Sequence, residues 1–416
     1  MNLQKLASAI TLVLITPMLF AANLFVTPTG AGNKDGSSWE NAIDGYERLN
    51  DIIASGDVIY FSAGRYVITQ QLTLTGITSL EMNGGFVASE GTSLVKSTNE
   101  RTVIAVKGNH LSRHLQASNS SIVLNDIEFT NGSIFKKSDY GMSMNLSKCQ
   151  IAMTNCAFTA NVFTNSVSTG FGNNYGGALY VNGGSLDIYK SLFRDNKMYT
   201  TPDNNVSHGG AIYTANAQVK ITETDFINNS IYSSIWPGYG AAIQMEGGNG
   251  SIERCNFLTN SISGNGHRCN YAYGASICSV NQPSLIVKDS YFSGNTGKGL
   301  PKSGGLLYVS GTEGKTEALI SRCIFINNGF NDTVKDAHSG SICLNGGTLR
   351  LENTLIAGTK PANKQALKRS VEVLNGNLEI TKCTITDSNG TGVYRDAVYG
   401  HVAITESIIY GNVNSV

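Results

Sequence analysis

Eight cysteines, six histidines and thirty carboxylates are the side chains best suited to metal, redox or acid–base chemistry in this chain. Cys156, Cys255, Cys323 and Cys383 recur in one sequence context, and Cys278 and Cys343 share another. Thiols at repeated positions suggest a disulfide framework or a metal site, and both require atoms within a few ångström. His208 and His338 also share a context, each lying two residues before a glycine. Glycoside hydrolysis would require two carboxylates flanking the bond. Polysaccharide elimination would require a Lys or Arg base beside a neutralised carboxylate. A third chemistry is ring stacking. Phe163, Phe171, Tyr199, Tyr232, Trp236 and Tyr271, with His267 and Arg268, lie among Asn and Ser, as sugar or protein contacts require.

Which of these side chains can meet depends on the elements that carry them, and those elements repeat. In HGGAIYTANAQVKITETDFINN, residues 208–229, take Phe226 as zero. Aliphatics stand at minus seven and minus five, a Ser, Thr or Cys at minus two, and Asn at plus three. Phe158, Phe193, Phe257, Phe292 and Phe325 carry the same Asn at 161, 196, 260, 295 and 328. Weaker copies centre on Phe129, Ile356, Ile385 and Ile409, and (409 − 129)/9 gives a period of about 31 residues. The aliphatic pairs, such as Leu186 and Ile188 or Leu349 and Leu351, are two apart, so one face of a strand is buried. About fifteen residues before most anchors comes a glycine-led strand, as in Gly176-Gly177-Ala178-Leu179.

Strands this short cannot bury their own apolar face, so each unit must stack on copies of itself, and parallel stacking gives a β-solenoid. The Asn positions then form a hydrogen-bonded ladder. At minus three, Lys190, Glu223, Arg254, Asp289 and Arg322 alternate in sign, which attracts between adjacent coils. A propeller blade would need about 40–45 residues, and helical periodicity is absent from the repeats. Coil spacing also decides the chemistry. No two of the four cysteines fall in adjacent coils, so the nearest pair is roughly 9.6 Å apart, beyond disulfide reach. The six ladder cysteines are therefore expected to be buried fillers, with Cys149 and Cys269 outside the ladders. His208 and His338 are four coils apart, roughly 19 Å, and no metal site is expected. Tyr140, Tyr175, His208, Tyr239 and Tyr273 precede the glycine strand in five consecutive coils. They either stiffen a turn by stacking or offer a strip to a ligand.

Thirty basic and thirty acidic residues balance, which argues against nucleic acid as the partner. Residues 1–22 read as a signal peptide: Lys5, the apolar run from Ile10 to Ile15, then Ala21-Ala22. That run is too short to span a membrane, and no second span follows. Residues 23–115 are expected to hold the N-terminal cap and first coils. Ser37-Ser38-Trp39-Glu40 fits a capping box, and Ile43, Tyr46, Leu49 and Ile52 keep helical spacing to Gly56, so a capping helix is expected. Residues 116–416 hold the repeats and show no matching C-terminal cap, consistent with a truncated chain or a partner at that end.

The Gly-Gly-Ala-Ile and Phe-x-x-Asn units resemble the repeats of chlamydial polymorphic outer membrane proteins. They are also similar to Bacteroidetes surface proteins with the right-handed parallel β-helix, or pectin-lyase-like, fold. Phe25-Val26-Thr27-Pro28, Asp35 to Trp39, Gly56 to Tyr60, Gly64-Arg65-Tyr66 and Asn83-Gly84-Gly85-Phe86 extend the resemblance over nearly the whole mature chain. It implies export to the cell surface, the outer membrane or the medium, and a repeat passenger serving adhesion. The same fold carries polysaccharide lyases and hydrolases. The Asn-Thr-Asp, Gly-Asp-Asp and Gly-His-Gly signatures of polygalacturonase-like enzymes are absent, and Asp195 has Asn228, Thr259, Gly294 and Asn327 as its later equivalents. The expected fold is therefore an all-β right-handed parallel β-helix of at least ten coils with a short N-terminal capping helix. The expected function is a binding platform for carbohydrate or a cell-surface protein, with no cofactor and no catalytic residue assigned. Its contacts are expected at Tyr199, Tyr232, Trp236, His267, Arg268, Tyr271, Tyr175, Tyr239 and Tyr273. A groove-acting lyase or hydrolase, or a passenger with a purely structural role, are the alternatives.

Overall fold

The computed structural model describes residues 21–108, 110–134, 140–165, 172–200, 205–233, 237–264, 272–298, 305–330, 340–359, 369–388, 390–396 and 400–412. They form an all-β parallel solenoid. The coil quoted above shows the plan. Ile212–Ala215 and Gln218–Thr222 belong to a first sheet, A, and Asp225–Ile227 to sheet B. Ser230–Ser233 lies in sheet C and Gly238–Tyr239 in sheet D. Ile243 then stacks on Ile212 and the next coil begins. One ladder, Phe86–Val87 against Val95–Lys96, is antiparallel.

Strands of three to five residues turn corners at single residues in the left-handed region. In this coil they are Gly209 (φ 69°), Asn216 (51°), Glu223 (50°) and Asn228 (54°). The alternating charges at minus three occupy one of these corners: Lys190, Glu223, Arg254, Asp289 and Arg322 all have φ between 48° and 54°. Their ion pairs run from coil to coil, Glu223 meeting Lys190 at 3.8 Å and Arg254 at 3.4 Å, and Asp289 meeting Arg322 at 2.6 Å. These pairs are solvent-exposed and screened, so they set register between coils more than they add stability.

The solenoid interior holds the predicted aliphatic pairs, buried from Ile122 and Leu124 through Leu378 and Ile380. Phe129, Phe158, Phe193, Phe226, Phe257, Phe292 and Phe325 stack in one column with centroids 4.4–5.4 Å apart. Full burial of each such ring stabilises by roughly 2–3 kcal/mol. Beside that column the Asn ladder is continuous from Asn161 to Asn328, each side-chain amide donating to the next at 2.9–3.0 Å. Each amide from Asn196 to Asn295 also donates to a Phe carbonyl of the preceding coil, so its two N–H groups are satisfied without water, and Asn328 donates likewise to the Phe292 carbonyl.

Three expectations are corrected. No α-helix forms among the described residues of the N-terminal segment. Ile43–Asp44 pairs with Val26–Thr27, Gly45 (φ 76°) breaks the run, and two short 3-10 turns cover Trp39–Asn41 and Glu47–Asp51. The helical spacing was genuine as burial: Tyr46 and Leu49 enter the main core. Capping is done by side chains. Asn50 Oδ1 accepts from the Thr73 amide at 2.9 Å and its Nδ2 donates to the Gln71 carbonyl at 3.1 Å, so this amide stands in for a neighbouring strand at a sheet edge. The solenoid makes about nine turns rather than ten or more. Nine steps separate Phe129 from Ile409, and the two earlier strands of sheet B, Gly64–Ile68 and Thr102–Val106, belong to the irregular N-terminal part. Cys149 is not outside the ladders: it lies in register with Gly184 in sheet A and is buried. Residues 1–20, all but the last two of the expected signal peptide 1–22, and Cys269 lie outside the described residues. No helix of the described residues is long and apolar enough to cross a membrane.

Candidate functional site

Sheet A turns a corner between its two strands in these coils, and a groove lies on the outward face beyond the corner. Gly183 and Gly184 (φ 69° and 78°), Asn216 (51°) and Gly247 and Gly248 (62° and 69°) hold the corner. A Cβ on Gly184 would lie 2.0 Å from the Cys149 carbonyl oxygen, and one on Gly248 2.1 Å from that of Ala217, so neither position admits a side chain. Beyond the bend, alternate residues face outward. Ser185 and Asp187, Gln218 and Lys220, Asn249 and Ser251, and Ser284 and Ile286 stand in register on four consecutive coils. They line an open groove of about 540 Å³. Lys220 lies 3.8 Å from Asp187, and Asn249 Nδ2 donates to Gln218 Oε1 at 3.1 Å. A second groove of about 470 Å³ adjoins it, lined by Tyr189, Thr222, Glu253 and Arg254 and sharing Asp187 and Lys220. Arg254 is ion-paired with Glu253.

The aromatic residues form a different feature. Among the described residues, sheets C and D are the two layers of an arm on the four coils that carry both, beside a small core of Phe163, Met198, Ile231, Ile262, Ala272 and neighbours. Phe163, expected on display, is fully buried there. Tyr199 and Tyr232 stack on the outside of sheet C with centroids 4.6 Å apart, and Tyr199 is 43% exposed. Tyr140, Tyr175, His208, Tyr239 and Tyr273 form one column on sheet D, with successive centroids 5.5, 4.6, 5.0 and 5.1 Å apart. The column packs against Tyr180, Tyr213 and Tyr308 on the outer face of sheet A. His208 and Tyr239 each have an aromatic neighbour on both ring faces, so neither ring face is open to a ligand. The structure thus brings together Tyr175, Tyr239 and Tyr273, and separately Tyr199 and Tyr232. Trp236, His267, Arg268 and Tyr271, like Phe171 and His338, lie outside the described residues.

Burial tunes the groups that could do chemistry away from reactivity. Burial holds His208 at about 4, against the raising effect of the 2.9 Å hydrogen bond between its Nδ1 and Gln244, so the ring is neutral at pH 7. Burial pushes the thiols of Cys156, Cys255 and Cys323 up to about 12, which leaves them protonated and unreactive. All seven described cysteines are free and buried. No group of three or more His, Cys, Asp or Glu able to hold a metal occurs among the described residues.

Sequence reasoning missed the groove. The corner beside it was signalled by Gly183-Gly184 and Gly247-Gly248, glycine pairs just before the paired aliphatics. That such pairs bend a sheet rather than end a strand depends on the register with the coil below.

No family model and no curated protein matches the sequence. Among solved structures, the chain is similar to a rhamnogalacturonan lyase at 12% identity and a TM-score of 0.29, over 94% of this chain and 87% of that one. The chain is a β-solenoid by its own strand topology.

Proposed function

We propose that this chain is a surface or secreted binding platform for a glycan chain, of the right-handed pectin-lyase-like kind, without catalysis of its own. The observation that carries the proposal is the open groove over four consecutive coils. Its floor repeats small hydroxyl, amide and charged side chains at the coil spacing of about 4.8 Å. That step is close to the length one hexose adds to a chain, so successive sugars meet equivalent positions. The exposed Tyr199–Tyr232 pair offers a second, aromatic contact on the arm. The polymorphic-protein-like repeats and the N-terminal apolar run support export. A lyase or hydrolase is the second possibility, because Asp187, Lys220, Glu253 and Arg254 would put acid and base groups beside a bound chain.

Affinity electrophoresis of the full chain against a glycan panel, with mass spectrometry of the recovered glycans, tests this. Retention by at least one glycan, intact products, and loss of retention in Ser251→Trp, which fills the groove floor, are expected. Unchanged retention in Ser251→Trp would remove the groove from the proposal. New oligosaccharides would replace binding with catalysis.

A further inference from the structure

We infer that the groove is selective for an uncharged glycan over a polyuronide or sulfated glycan, an inference that rests on the glycan-binding function proposed above. Charge in the groove is balanced locally. The two adjoining grooves together contain two acids, Asp187 and Glu253, and two cations, Lys220 and Arg254, which sum to zero. Each cation already has an acid: Lys220 has Asp187 at 3.8 Å, and Arg254 has Glu253 and, at 3.4 Å, Glu223. At the rim, Lys288 has Glu253 as its register partner. An anionic chain presents one carboxylate or sulfate on most of its units. At one unit per coil, four coils would have to supply several cations, and the floor of the larger groove supplies Lys220 alone. Such a chain would also lie over Asp187 and Glu253, and would have to break existing ion pairs before making its own.

The rest of the floor suits hydroxyl groups. Ser185, Gln218, Asn249, Ser251 and Ser284 all both donate and accept, as sugar hydroxyls do. The 3.1 Å bond between Asn249 and Gln218 orients two of these amides, which carry further donors and acceptors for a ligand. Ile286 adds an apolar patch at the last coil, where the C–H face of a pyranose can rest. The chain would run along the solenoid axis, with four contact positions spanning about 14 Å at about 4.8 Å per coil.

The full chain is run at low salt through gels containing arabinan, galactan or xylan, and in parallel polygalacturonate, alginate or chondroitin sulfate. Retention by a neutral glycan with free passage through the anionic gels is expected. Retention by the anionic gels alone would overturn the selectivity and leave glycan binding standing. Free passage through every gel would remove the binding function, and the selectivity with it. Asp187→Asn provides the second arm, because it frees Lys220 without filling the groove. Its affinity for polygalacturonate should rise about five-fold, the effect of one charge contact at about 4 Å in water. That gain should vanish in about 1 M salt. Lys220→Gln should show no gain. An Asp187→Asn protein no better at binding polygalacturonate than the parent would refute the charge-balance argument.

Discussion

Replacing Asn229 tests the interior ladder most directly. Its side chain makes four hydrogen bonds with no exposure to solvent. Nδ2 donates to the Phe193 carbonyl at 2.9 Å and to Asn260 Oδ1 at 3.0 Å. Oδ1 accepts from the Asn196 backbone amide at 3.2 Å and from Asn196 Nδ2 at 2.9 Å. Asn229→Ala removes all four and leaves a buried backbone N–H and a buried carbonyl short of partners. At about 1 kcal/mol per bond the loss is about 4 kcal/mol, and more if no water enters. Asn229→Asp keeps the two accepted bonds but points a second oxygen at two acceptors, so at pH 7 it should cost at least as much as alanine. Burial raises the folded-state pKa of that carboxyl above its unfolded value. The protonated acid can donate once, so part of the loss should return as pH falls through the raised pKa. Urea unfolding followed by far-UV circular dichroism at pH 7 and pH 5 measures both effects. Hydrogen exchange shows whether the damage stays within neighbouring coils, as expected of a stacked repeat. Asn228→Gly, at the adjacent exposed left-handed corner, is the control and should change stability by less than about 0.5 kcal/mol. A loss below about 1 kcal/mol for Asn229→Ala, or an Asn229→Asp protein indifferent to pH, would show that the ladder amides are not the satisfied network described.

Two further predictions concern the corners and the core. Thr259 holds φ 54° at a corner where the next coil has Gly294 at φ 62°. Thr259→Gly should raise stability by about 0.5–1 kcal/mol, the left-handed strain relieved less the entropy glycine loses on folding, and Gly294→Thr should do the reverse; paired thermal melts decide. His114 is fully buried, with Nδ1 2.9 Å from Ser143 Oγ and Nε2 3.0 Å from the Thr130 carbonyl, and burial lowers its pKa to about 4. Its neutral form is favoured on folding, so the unfolded chain binds the proton first. Stability should fall as pH drops from about 6.5 to about 4, by about 3 kcal/mol for this ring, and stay flat outside that window. Urea midpoints across that range should show the slope, and His114→Gln should flatten it to the remainder due to His208.

Much of this molecule follows from its sequence because the repeat makes local and long-range order the same thing. A residue at plus three must lie beside its equivalents one coil away, so Asn161 to Asn328 predict their own bonding partners. Lys190, Glu223 and Arg254 predict their own ion pairs in the same way. The stacked phenylalanines and buried, unpaired thiols follow from the same register. What the tertiary structure decided lies where the period breaks or where two faces meet. Tyr46 and Leu49 have helical spacing, yet strand pairing at Ile43 and the left-handed Gly45 turn that spacing into 3-10 turns. The tyrosine column could have faced solvent, and packing against Tyr180, Tyr213 and Tyr308 made it a seam instead. The groove lies beside a corner at Gly183-Gly184 and Gly247-Gly248 that no single coil specifies. At that corner the backbones approach too closely for a side chain, and such contacts exist only once coils are stacked.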